Sequence, residues 1–60
     1  MEMGYLANIL IPLKDWAELY NVDEETLLKA AKELGMDAVV RDRKASAREM
    51  DRISYYLFGY

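Results

Sequence analysis

The sequence contains no cysteine and no histidine, and it has one proline and three glycines. Without cysteine no disulfide can form, and without either residue the usual ligands of zinc and the transition metals are missing. We therefore expect no structural metal and no cofactor. Long hydrophobic runs are also absent. The most apolar segment, GYLANILIPL, is ten residues long and contains Pro12, which makes it too short for a membrane helix.

Apolar packing must therefore supply the stability. A chain of 60 residues is one domain, residues 1–60, and buries only about 60% of its unfolded surface. Its apolar content is 53% with seven aromatic residues, well above that of a disordered chain. Glu2 stands where a signal peptide carries positive charge. We expect a folded cytoplasmic protein without a membrane span or a small-molecule substrate.

The first elements are a strand and a helix. The segment YLANILI, residues 5–11, mixes β-branched, aromatic and leucine residues and predicts a strand. Pro12 suits the first turn of a helix because its φ is already fixed. The apolar residues that follow recur at helical spacing and predict helix 1 over Leu13 to Tyr20. They are Leu13, Trp16, Ala17 and Tyr20.

A tight corner and a second helix follow. Asn21 accepts a left-handed backbone more readily than most residues, and Asp23 is placed to cap the next helix. Helix 2 is predicted over Glu24 to Leu34, with Gly35 closing it. The sequence DEE at 23–25 lacks the spacing of a calcium loop, so we interpret it as acids that stabilise the helix dipole.

The last third predicts a strand and a third helix. AVVR, Ala38 to Arg41, is typical of a strand, with Asp42 at a turn. Ser46 followed three residues later by Glu49 forms a capping box that begins helix 3. The order is β-α-α-β-α. This predicts a mainly α member of the α+β class, a three-helix winged helix-turn-helix with a short strand pair.

Catalytic chemistry is poorly represented. Thr26, Ser46 and Ser54 are the only serine and threonine hydroxyls. Thr26 falls in the first turn of helix 2 and Ser46 caps helix 3, so two of the three have structural explanations. With no histidine to act as a base, we expect a protein that is not an enzyme.

Charge is unevenly distributed along the chain. Residues 1–37 hold eight acids against three lysines, whereas residues 38–60 hold five basic residues against three acids. The basic residues concentrate in RDRKASAR, where Arg41, Arg43 and Lys44 are placed to form a projecting wing that binds phosphate. This prediction requires the guanidinium groups to be free of neighbouring carboxylates.

Two further sets of basic residues lie on predicted helices. Arg48 and Arg52 share one face of helix 3 at i, i+4; they either extend the phosphate-binding surface or pair with Asp51 and Glu49 along a solvated helix. The exposed face of helix 2 carries Lys29, Lys32 and Thr26, which would approach a DNA groove. Three glutamates on the same face oppose that approach: Glu24, Glu25 and Glu33.

The C-terminal ISYYLFGY holds four aromatics, too many for one buried helix face. Tyr55, Phe58 and Tyr60 either wrap the first strand or form a patch for a homodimer or another protein partner.

Two resemblances follow from these motifs. ILIPLKDWAELYNVDEETLLKAAKELG followed by AVVRDRKASAREMDRI resembles the small winged helix-turn-helix domains of the MerR and phage excisionase type, with LKDWAE the most specific part. The resemblance implies DNA binding by Lys29 and Lys32 on the recognition helix and by Arg41, Arg43 and Lys44 on the wing. It implies a small non-catalytic regulator or recombination accessory of a mobile element.

The second resemblance is to the small N-terminal domain of the bacterial initiation factor that delivers initiator tRNA. WAELYNV, LLKAAKELGM, a short loop, a serine and a closing helix align along residues 13–53. This resemblance implies an accessory module that contacts RNA or protein. The sequence therefore leaves a competing hypothesis, a protein-interaction module that uses acidic helix 2 or the C-terminal aromatics.

Overall fold

The computed structural model describes residues 9–59, which are mainly helical. Within that range there are four helices and one two-stranded antiparallel sheet, which confirms the α+β, mainly α class. The elements are β1 Ile11–Pro12, α1 Leu13–Tyr20, α2 Glu24–Glu33, α3 Asp37–Asp42, β2 Lys44–Ala45 and α4 Ala47–Phe58. None of these helices has both the length and the apolar character to cross a bilayer.

The sheet joins the beginning of α1 to the beginning of α4. Ile11 lies opposite Ala45, and Pro12 lies opposite Lys44. The indole Nε1 of Trp16 donates a hydrogen bond of 2.9 Å to the carbonyl of the buried Ala45. Most of the strand predicted over residues 5–11 lies outside the described residues.

The corner between α1 and α2 is built as the sequence predicts, with one difference. Asn21 is left-handed at φ 59° and ψ 47°, and the Val22 N–H donates to the Ala17 carbonyl at 2.9 Å. Asp23 occupies the cap position of α2, but its side chain makes no capping hydrogen bond. Its backbone carbonyl accepts from the Thr26 N–H at 3.0 Å instead.

The predicted strand Ala38 to Arg41 is wrong, because these residues form α3. The Val40 N–H donates to the Met36 carbonyl at 3.1 Å, a helical bond. Val39 is fully buried whereas Val40 is only half-buried, so α3 buries one face against the core. That burial overrides the strand preference of the β-branched pair. The second strand lies further along the chain, at β2.

The capping box of α4 is confirmed. The Glu49 N–H donates to Ser46 Oγ at 3.2 Å, and Glu49 Oε1 accepts from the Ser46 N–H at 2.9 Å. Gly59, with φ 84°, ends the helix in a left-handed conformation.

The core lies where α2 crosses the other helices. Small residues on α2 let the neighbouring helices approach closely, as the apolar stripes predict. Leu34, which follows α2, is only partly buried. The buried apolar residues are Leu13, Ala17, Leu27, Ala30, Ala31, Val39, Ala45, Met50 and Ile53.

Candidate interaction surface

The basic segment between α3 and α4 does not form a projecting hairpin in the described part of the chain. Arg41 lies in the last turn of α3, and Arg43 is the left-handed residue that ends this helix, at φ 56°. Lys44 lies in β2 and pairs across the sheet with Pro12. The segment thus differs from the predicted wing: β2 pairs with the strand that precedes α1 and not with a strand next to it in sequence.

Both arginines of this segment contact carboxylates. Arg41 Nε lies 3.1 Å from Asp42 Oδ1, and Arg43 Nη1 lies 3.1 Å from Glu24 Oε2. The other terminal guanidinium nitrogen of Arg43, Nη2, lies 3.8 Å from Glu25 Oε2. These pairs contradict the expectation that the guanidinium groups stand free of carboxylates.

The pKa values of Arg41 and Asp42 reflect their ion pair. The hydrogen bond from Arg41 lowers the pKa of Asp42, and Lys44 lowers it further through its charge. The same hydrogen bond raises the pKa of Arg41. Arg41 and Arg43 thus lie beside three carboxylates, which weakens the attraction of this segment for a polyanion.

The basic residues of α4 and α2, unlike Arg41 and Arg43, form no ion pair within residues 9–59. Among residues 9–59, Arg48 and Arg52 form neither of the ion pairs that the sequence left open. The Glu49 carboxylate is instead engaged by Ser46 in the capping box. Thr26, Lys29 and Lys32 are exposed on α2. The four cations of α2 and α4 are therefore available to a ligand, whereas Arg41 and Arg43 contact carboxylates.

Two open hollows lie between α2 and α4, and we refer to them together as the α2–α4 groove. The larger has a volume of about 730 Å³, and the smaller about 400 Å³. The larger is lined by Leu34, Asp51, Arg52, Tyr55 and Tyr56. The smaller is lined by Thr26, Lys29, Ala30, Glu33, Tyr56 and Leu57.

Tyr56 lines both hollows and joins their walls. Its hydroxyl donates a hydrogen bond to Glu33 Oε1 on α2. This hydrogen bond raises the pKa of Tyr56, with burial and the charge of Glu33 acting in the same direction. The side chain remains 49% exposed, and its neighbour Tyr55 is 68% exposed. The sequence did not single out Tyr56, because helical periodicity does not show which residue of another helix its hydroxyl meets.

The predicted aromatic patch is divided by the structure. Phe58 stacks on Tyr20 of α1, with ring centroids 6.3 Å apart and planes 5° from parallel. Tyr55 lines the groove, and Tyr60 lies outside the described residues. Two of the three aromatics thus have distinct environments, one in an intramolecular stack and one at an open surface.

One further hydroxyl of the described region is engaged within its own helix. Ser54 Oγ donates to the Asp51 carbonyl at 3.0 Å, so it is engaged within α4. Residues 9–59 contain no group of three or more carboxylates that could hold a metal ion.

Comparison with family models, curated proteins and solved structures gives no significant match.

Proposed function

We propose that this chain is a non-catalytic protein-interaction module that holds its partner in the α2–α4 groove. The observation that carries the proposal is the exposure of Tyr55 and Tyr56 on the walls of one concave surface. Tyrosine combines a large apolar ring with a polar tip, and it is enriched at the centres of protein interfaces. Partly exposed Leu34 adds apolar surface to the same wall.

Charged side chains border this aromatic surface. Asp51 and Arg52 line one hollow, and Lys29 and Glu33 line the other. An apolar centre with a charged, hydrated rim is the usual anatomy of a protein interface. The rim selects among partners more than it adds affinity, because exposed charge pairs contribute little free energy.

Site-specific photo-crosslinking tests the proposal whatever the identity of the partner. A photoreactive phenylalanine replaces Tyr55 in the groove, or replaces Leu19 as the matched control. Leu19 is 73% exposed and does not line the groove. A discrete adduct from position 55 but not from position 19, formed in cells that express the protein, supports the proposal. Equal labelling from the two positions, or no adduct from position 55, contradicts it.

A second candidate function is nucleic-acid binding through the exposed face of α2, as in the winged helix-turn-helix proteins that the sequence resembles. The observation that favours it is that Lys29, Lys32, Arg48 and Arg52 form no ion pair within residues 9–59. Lys29 and Lys32 would bind phosphate and Thr26 would approach a base edge. Such a protein would be a small regulator or recombination accessory of a mobile element.

Duplex DNA titrations at two salt concentrations test the second candidate. The α2 variant is Lys29→Glu/Lys32→Glu, and the matched variant of the basic segment is Arg41→Glu/Arg43→Glu/Lys44→Glu. Salt-sensitive binding that is lost in the α2 variant supports nucleic-acid recognition by α2. Loss in the basic-segment variant alone would assign binding to that segment. Absence of binding by the wild type at low salt excludes DNA binding by α2 and by the basic segment alike.

A further inference from the structure

We infer that the partner held in the α2–α4 groove is a second copy of this chain, an inference that rests on the proposed function. The groove walls carry two cations, Lys29 and Arg52, and two carboxylates, Glu33 and Asp51. Within residues 9–59 none of the four forms an ion pair. Glu33 accepts the hydrogen bond of Tyr56 and is exposed at the surface.

Equal numbers of opposite charges make a surface complementary to its own copy. In a two-fold dimer the same patch lies on both sides of the interface, so a patch of one sign would repel its own copy. A mixed patch can place each cation of one copy near a carboxylate of the other. A strongly acidic or strongly basic partner would instead be opposed by half of the groove charges.

The positions of the charges along the groove are compatible with such a dimer. Lys29 lies in the hollow on one side of Tyr56, and Asp51 and Arg52 lie in the hollow on the other side. A two-fold axis near Tyr56 can exchange the two hollows, so that charges from one end of the groove face charges from the other. The exposed tyrosines then lie at the centre, where water is excluded most completely.

The size of the molecule also allows this arrangement. A stable interface buries about 800 Å² per partner. That area is roughly a fifth of this chain's accessible surface of 4376 Å², and it corresponds to one broad face of a molecule measuring 32 × 24 × 19 Å. A domain this small gains stability from such burial, because its own core is limited.

Sedimentation equilibrium and native mass spectrometry of the full chain test the inference. Tyr55→Arg adds charge and bulk at the centre of the groove, and Leu19→Arg makes the same change at an exposed site outside it. We expect a concentration-dependent dimer of the wild type and of Leu19→Arg, with the dimer Kd of Tyr55→Arg raised at least about tenfold. Circular dichroism establishes that each variant remains helical.

Charge redesign provides an independent test that does not depend on the exact register. Lys29→Glu/Arg52→Glu makes the groove entirely acidic, and Asp51→Lys/Glu33→Gln makes it basic while leaving an acceptor for Tyr56. Each variant alone should be monomeric, because like charges then face one another. An equimolar mixture should form a heterodimer whose formation is weakened by the further change Tyr55→Arg.

The outcomes separate this inference from the proposed function. A wild type that is monomeric at about 1 mM, or a dimer unaffected by Tyr55→Arg, overturns self-association through the groove. If the photoreactive group at position 55 still crosslinks a different protein, the interaction module stands with a heterologous partner. If position 55 gives no specific adduct of any mass, the proposed function fails as well.

Discussion

Tyr56 of α4 donates a hydrogen bond to Glu33 of α2, and this bond spans the groove between the two helices. The two residues are 23 positions apart in the sequence. The bond fixes the ring of Tyr56 between the two hollows and so determines the shape of the surface that a partner would meet. Because both side chains are exposed, the contact defines local geometry more than it stabilises the fold.

The Tyr56 contact predicts a specific pH dependence. The folded protein raises the pKa of Tyr56 above its ordinary value of 10.0. The folded state therefore holds this proton more tightly than the unfolded state, and the stabilisation is complete below pH 10.0. It is lost as the pH rises through the folded-state pKa. Thermal unfolding of the wild type and Tyr56→Phe across this range should show a difference in Tm that disappears in alkali.

The matched control for this experiment is Glu33→Gln, which keeps an acceptor but removes its charge. Its Tyr56 should titrate closer to the ordinary value, as followed by tyrosinate absorbance with Tyr56→Phe subtracted. A Tyr56 ionisation that is unchanged by Glu33→Gln would show that the charge of Glu33 does not raise the pKa of Tyr56.

Loss of the Trp16 hydrogen bond should lower the stability of the fold more than loss of the exposed contact between Tyr56 and Glu33. Its indole N–H donates to the carbonyl of Ala45, which is completely buried. Trp16→Phe keeps an aromatic ring but leaves that carbonyl without the donor, which costs about 1–3 kcal/mol. A domain of this size has a total stability of roughly 3–9 kcal/mol, so the loss should be plain in a urea denaturation followed by circular dichroism. Tyr20→Phe, nearby on α1, should change the midpoint little.

Three of the four helices, α1, α2 and α4, were predictable because they depend on neighbours in sequence. The apolar spacing of α1 and the Ser46 capping box involve residues at most seven positions apart. The sheet is different. β1 and β2 are separated by more than thirty positions, and no local pattern identifies their pairing. The strand predicted at Ala38 to Arg41 failed for the same reason, since the burial of Val39 depends on the assembled core.

The candidate surface was predictable only in part. Exposure of Lys29 and of Tyr55 follows from helical periodicity and is observed. The pairing of Arg43 with Glu24 joins residues 19 positions apart and depends on how α3 ends beside the start of α2. The groove likewise exists only when α2 and α4 are packed together. Sequence periodicity identifies which residues lie on a helix face, but it does not identify which faces meet.

The capping box of α4 predicts a measurable contribution to stability. Ser46→Ala removes the acceptor for the Glu49 N–H, and such caps contribute about 0.5–2 kcal/mol. Ser46→Asp, which retains a capping oxygen, should preserve most of this stability. If Ser46→Ala and Ser46→Asp unfold at the same urea concentration, the side-chain cap does not stabilise α4.

Arg43 predicts an unusual order of stabilities. It adopts a left-handed backbone at φ 56°, which costs a residue with a Cβ about 1–2 kcal/mol and costs glycine little. Its exposed pairs with Glu24 and Glu25 return about 0.2–1 kcal/mol. Arg43→Gly should therefore be as stable as the wild type or more stable. Arg43→Ala keeps the backbone strain and loses the ion pairs, so it should be less stable than both.

Urea midpoints compared at low and high salt separate the two contributions of Arg43, because only its ion pairs are screened. A marked loss of stability in Arg43→Gly at low salt would show that the contacts with Glu24 and Glu25 outweigh the backbone strain.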